Sequence, residues 1–114
     1  MKLAEALAIA IKATRKAKGL TQEDFGVVSS RTYLSSLERA LKSPTIDKLE
    51  EISGVMNVAP ATLLLLATAL KQDAVKQDDV IEQVAAEAIS LLKSISSDVS
   101  LNDGKEGFAN QKHS

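Results

Sequence analysis

Five residues in one short stretch have the right types for reading a polyanion. Arg31, Thr32, Ser35, Ser36 and Arg39 fall into two adjacent columns at i, i+4 spacing, Arg31–Ser35–Arg39 and Thr32–Ser36, if the stretch is helical. The columns hold two guanidinium groups and three hydroxyls, with no carboxylate between them. Such a face presents hydrogen-bond donors and positive charge together, which fits the edge of a nucleic acid. Other chemistries lack their parts. The sequence has no Cys, which removes disulfides, thiolate metal sites and Cys nucleophiles. Its one His, His113, lies next to the C-terminus, where nothing fixes a metal or a proton relay. No nucleophile–base pair, metal set or phosphate loop is present, so no enzyme activity and no cofactor are expected.

The elements that must position this face follow from helical periodicity. Leu3, Leu7, Ala10 and Ile11 recur at i, i+4, i+7 and i+8, which predicts an amphipathic helix over Leu3 to Lys18, stopped at Gly19. Thr21 with Asp24 three residues on resembles a capping box and opens a short helix anchored by Phe25. Ser29-Ser30 supplies a fresh N-cap for a helix from Arg31 to Arg39, with Leu34 and Leu37 directed inward.

Pro44 forces a loop, and Thr45 caps a fourth helix, Ile46 to Met56, closed at Asn57. Pro60 then starts a fifth helix reaching Leu70, whose apolar run is too short for a membrane span of about 20 residues. No export signal is recognised at the N-terminus, so the expected setting is a soluble, cytoplasmic protein without membrane contact.

Residues 71 to 114 read differently. Asp79 with Glu82 suggests another capping box, and Ile81, Val84, Ala88, Leu91 and Ile95 are spaced 3, 4, 3, 4, a seam of heptad type. Two heptads are too short to stand alone, so the seam is expected to dimerise or to pack on its own domain. From 97 to 114 the chain is polar and aperiodic, and a mobile tail is expected, Phe108 and His113 included. The expected organisation is therefore residues 1–70 as the reading domain, 71–96 as linker and amphipathic helix, and 97–114 as tail.

Charge divides along the same line. Of 114 residues, 14 are Lys or Arg and 15 Asp or Glu, giving a net charge of −1. Residues 1–70 hold nine basic and seven acidic residues; residues 71–114 hold five and eight. With only Phe25, Tyr33 and Phe108 as aromatics, neither a stacking platform for single strands nor an indiscriminate polyanion binder is supported.

Several separate motifs, Gly19-Leu20-Thr21-Gln22-Glu23-Asp24-Phe25, Ser30 through Arg39, Ser43-Pro44-Thr45 with Leu49, and Val58 with Leu63, together resemble the lambda-repressor-like (Cro-type, xenobiotic-response-element) helix-turn-helix family. The resemblance covers about Leu3 to Leu70 and does not extend to residues 71–114. It implies an all-α fold, a five-helix helix-turn-helix domain followed by one amphipathic C-terminal helix and the tail.

It further implies a transcriptional regulator, a repressor in the first instance, binding double-stranded DNA as a homodimer on a roughly palindromic site. The helix from Ser30 becomes the recognition helix. Arg31, Thr32, Ser35 and Ser36 fall at base-contact positions, and Arg31 is suited to guanine O6 and N7. Gln22, Ser30, Tyr33, Arg39, Lys42 and Ser43 fall at phosphate-contact positions. Arg15 and Glu38 match a structural ion pair between the first and third helices.

Two departures stand out. The interval from Thr21 to Tyr33 is two residues shorter than is usual in the family, and Ala40 replaces the glycine that commonly ends the recognition helix. A second reading assigns the helix-turn-helix core and the acidic C-terminal helix to protein association, as in an antitoxin or adaptor, with a protein partner held by that helix.

Overall fold

The computed structural model describes the backbone of residues 1–101 and the side chains of residues 1–98. Among these residues all regular structure is helical: α1 (Leu3–Ala17), a 3₁₀ turn (Gln22–Phe25), α2 (Arg31–Glu38), α3 (Ile46–Met56), α4 (Pro60–Leu70), a second 3₁₀ turn (Ala74–Lys76) and α5 (Gln77–Leu101). Two compact units result, Met1–Ile81 and the segment from Glu82 onward.

In the first unit α1 packs chiefly on α4, while the first 3₁₀ turn touches both α2 and α3. Small residues make the α1 contact close: Ala6, Ala8 and Ala10 are buried beside Leu7 and Ile11. Leu3, expected on this stripe, is 44% exposed: it is the first residue of α1, and burial of the stripe begins at Ala6 and Leu7. Phe25, Leu34, Leu37, Leu49, Ile52, Met56, Leu63 and Ala67 complete one core. Phe25 is fully buried and contributes about 1.5–3 kcal/mol, so the 3₁₀ turn is anchored through it despite its length.

The short second element is a 3₁₀ turn and not an α-helix. A 3₁₀ turn rises about 2.0 Å per residue against about 1.5 Å for an α-helix, so a trimmed segment still spans the distance between α1 and α2. Gly26 plays no part in a close helix crossing: it is exposed, and the only atom a Cβ would approach is the Glu23 carbonyl oxygen at 3.3 Å.

Three helices end in the same way. After α1, Gly19 N–H bonds Lys16 O and Leu20 N–H bonds Arg15 O; after α2, Ala40 bonds Leu37 and Leu41 bonds Ser36; after α3, Asn57 bonds Gly54 and Val58 bonds Ser53. Each closure places one residue in the left-handed region: Gly19 at φ 72°, Ala40 at 61° and Asn57 at 58°. Glycine and asparagine adopt this conformation readily, whereas alanine does so at a cost of roughly 1–2 kcal/mol. The helix therefore does not run on into Leu41; the backbone accepts the strain at Ala40.

The C-terminal region departs most from the sequence reading. α5 begins at Gln77, so Asp79 lies within its first turn and not at its cap. It runs to Leu101, so residues 97–101, expected in the tail, are helical. Residues 102–114, with Phe108 and His113, lie outside the described residues. No single helix among those described is long and apolar enough to cross a membrane; α3 and α4, which approach that composition together, are bent by 97°.

Ala40→Gly is expected to raise stability by about 0.5–1 kcal/mol, the relieved strain less the added freedom of glycine in the unfolded chain. A urea midpoint that falls would contradict this account of the closure.

Candidate nucleic-acid interface

Ser30 starts α2 by accepting the Tyr33 N–H on Oγ at 3.1 Å, which fixes where the helix begins. Arg31 and Thr32 thereby occupy its first two positions, both exposed, with no acidic residue in the first turn. Leu34 and Leu37 are buried and set the rotation of the helix. The opposite side is left outward: Gln22, Arg31, Thr32, Ser35 and Arg39 line one open concavity of about 360 Å³. No acidic residue lines it, although the exposed Glu23 carboxylate lies 3.4 Å from the Arg31 guanidinium.

Ser36 does not join this group. Although it continues the Thr32 column, it is only 8% exposed, and its carbonyl oxygen closes the helix by accepting the Leu41 N–H. A helix of eight residues packed by its inner third leaves a narrow outward stripe, and Ser36 falls at its buried margin. Of the four residues that the resemblance places at base edges, Ser36 is thus the one buried in the free protein, whereas Arg31 and Thr32 are exposed.

The end of α2 is held by the Arg15–Glu38 pair. Arg15 Nε lies 2.7 Å from Glu38 Oε2 and Nη2 lies 3.0 Å from Oε1, while Nη1 donates to the Leu20 carbonyl oxygen at 2.9 Å. The side chains are 10% and 2% exposed. Gln22 Nε2 donates to Glu38 Oε1 at 3.1 Å, so the carboxylate accepts three bonds. The hydrogen bond to Glu38 holds the Arg15 guanidinium above its ordinary pKa, against the opposing effect of burial. Gln22, at the edge of the concavity, is thus oriented by the same carboxylate that fixes α2.

The remaining candidates flank the face. Arg39 is exposed at the C-cap, and Lys42 and Ser43 are exposed in the following loop. Ser30 is exposed, and its hydroxyl proton is free to donate while the oxygen caps α2. Tyr33 is half-buried against the core, its ring centroid 5.5 Å from Lys42 Nζ and 5.8 Å from Lys48 Nζ.

Two residues outside the sequence reading belong to the site. Glu23 lies 3.4 Å from Arg31 in a pair 70% exposed on both sides, a contact worth about 0–1 kcal/mol that a duplex readily displaces. Lys48 reaches back from α3 to the turn before α2. Neither contact has a signal in local spacing, since both partners in each case are brought together only by the fold.

A short helix-capped turn presenting a polar, cationic helix face defines a helix-turn-helix domain. A helix-turn-helix family model matches residues 11–63. The HTH-type transcriptional regulator y4dJ of Sinorhizobium fredii is 42% identical over 52 residues, 44% of this chain and 68% of that protein. The crystal structure of the clp gene regulator ClgR from Corynebacterium glutamicum is similar with a TM-score of 0.57 at 26% identity, over 84% of this chain and 95% of that one. The chain belongs to the lambda-repressor-like, XRE-type helix-turn-helix family; it is a DNA-binding transcriptional regulator and not an enzyme.

Glu38→Ala is expected to destabilise the domain by about 3–5 kcal/mol, because Arg15 would remain buried without its partner. Urea unfolding followed by circular dichroism measures it, and a loss below about 1 kcal/mol would show the pair to be solvent-screened.

Proposed function

We propose that the protein is a repressor that binds a roughly palindromic duplex site as a homodimer, with α2 in the major groove. The observation that carries this reading is the concavity that Gln22, Arg31, Thr32, Ser35 and Arg39 line, with no acidic residue among them, on the outward side of α2. Arg31, at the first helical position, is the main base reader through guanine O6 and N7, with Thr32 and Ser35 beside it. Gln22, Ser30, Tyr33, Arg39, Lys42 and Ser43 hold the phosphates and set register. Repression needs nothing beyond occupancy of the site, and the reading face supplies that.

Pairing is assigned to α5. Along the proposed seam Ile81 and Val84 are half-buried, while Ala88, Leu91 and Ile95 are exposed. Ile89 and Leu92 widen the apolar surface, each more than half exposed. Residues of this kind call for a partner, and a second copy places two reading heads on two half-sites one helical turn apart.

Arg31→Ala should cost about 1–3 kcal/mol and relax preference at one base position, whereas Arg39→Ala should weaken all duplexes alike and lower the salt slope by about one. Fluorescence anisotropy against the protein's own upstream region measures both; no preference over random duplex would defeat the reading. Sedimentation at micromolar concentration should show a dimer that Leu91→Glu converts to monomer. A wild-type monomer there would assign the apolar side of α5 to a different protein partner, as in an antitoxin or adaptor.

A further inference from the structure

The turn between the 3₁₀ segment and α2 is short, and a side chain from a distant helix holds it. Lys48, in the first turn of α3, donates from Nζ to the Val28 carbonyl oxygen, two residues before the Ser30 cap. The same ammonium lies 2.9 Å from Glu51 Oε1 and 5.8 Å from the Tyr33 ring centroid. Its side chain is 29% exposed, well below the 70% of Arg31. Two of its three protons are therefore committed within the protein, and its aliphatic stem is covered. A lysine meant for a phosphate keeps its head in water. This one is anchored at both ends of a bridge from α3 to the turn.

The backbone around it explains the need. Val28 and Ser29 N–H groups both return to the Phe25 carbonyl oxygen, which leaves the Val28 carbonyl pointing away from the turn's own bonds. Val27 is 90% exposed and contributes no packing. Between the 3₁₀ segment and the cap only the half-buried Val28 side chain packs on the core, so the bond to its carbonyl oxygen adds a directional restraint to a single partial apolar contact. Small changes there would rotate Arg31 and Thr32, which follow directly.

Taking the outward face of α2 as the duplex interface, we propose that Lys48 is a positioning residue of the recognition helix. It pins the Val28 carbonyl to α3 and so fixes the direction in which α2 starts, without itself touching DNA.

Hydrogen exchange on the free protein tests the restraint without any ligand. The Tyr33 and Leu34 amides bond to Ser30 Oγ and Ser30 O. In Lys48→Met they should exchange about tenfold faster, the effect of losing one hydrogen bond to a charged group, while amides in α1 keep their rates. Lys48→Arg keeps a cationic donor and should exchange like the parent. Unchanged rates in Lys48→Met, or equal acceleration in Lys48→Arg, would overturn the proposal. If Lys48→Met does not fold, Glu51→Gln removes one of the two anchors and should accelerate the same amides less strongly; no acceleration there is equally fatal.

Anisotropy with a duplex selected from a random-sequence library supplies the functional readout. Lys48→Met should lose about tenfold on the selected duplex, with affinity for random duplex and the salt slope unchanged. A slope lower by about one with equal weakening on random duplex would make Lys48 a direct phosphate contact and end the positioning role. A parent protein that prefers no duplex would defeat the proposed function and leave the exchange result standing.

Discussion

One buried carboxylate organises the reading domain. Glu38 is the last residue of α2, and its side chain is 2% exposed, a burial that calls for hydrogen-bond donors around the carboxylate. Arg15 supplies two bonds from the end of α1, and Gln22 supplies a third from the 3₁₀ turn. Arg15 also takes up the Leu20 carbonyl oxygen, which ties in the loop between them. Four pieces of chain are fixed relative to one another through a single ionised group. Hydrophobic burial, being non-directional, sets that these pieces pack. The bidentate fork sets the angle at which they do so.

Helix α2 is consequently held at both ends by polar contacts and along its length by two fully buried leucines, Leu34 and Leu37, with the half-buried Tyr33 beside them. Its start depends on the Ser30 cap and on the bond from Lys48; its end depends on Glu38 and on a left-handed closure at Ala40. So short an element has little propensity of its own to spend, and its geometry comes from these restraints. The charge distribution fits the same picture. The first 70 residues carry nine basic and seven acidic side chains, a small positive excess that offers little general attraction to phosphate.

Much of the reading domain was legible because its signals are local. Caps at Ser30 and Thr45, the stop at Gly19 and the proline at the start of α4 act within a few residues, and the boundaries of α3 follow from Thr45 and Asn57 directly. Periodicity located the buried leucines of α2. It failed at margins. Leu3 has the right spacing but stands at the start of its helix, 44% exposed, and Ser36 has the right column but is buried. In α5 the polar residues before Asp79 and after Ile95 concealed that the helix continues in both directions, since Gln, Asp and Ser outside a seam fit a solvated helix as well as a loop.

By itself the sequence determined the helices, their caps and a polar cationic stripe between two leucines, because each depends on spacing of 3 to 4 residues along one chain. The tertiary structure decided which members of that stripe stay outside, since Ser36 is buried although it shares a column with the exposed Thr32. It also decided that Glu23 meets Arg31 and that Lys48 holds Val28, contacts between residues on different elements. Such pairs carry no periodic signature. They exist only once the buried Arg15–Glu38 pair and the shared core have brought separate elements to fixed positions.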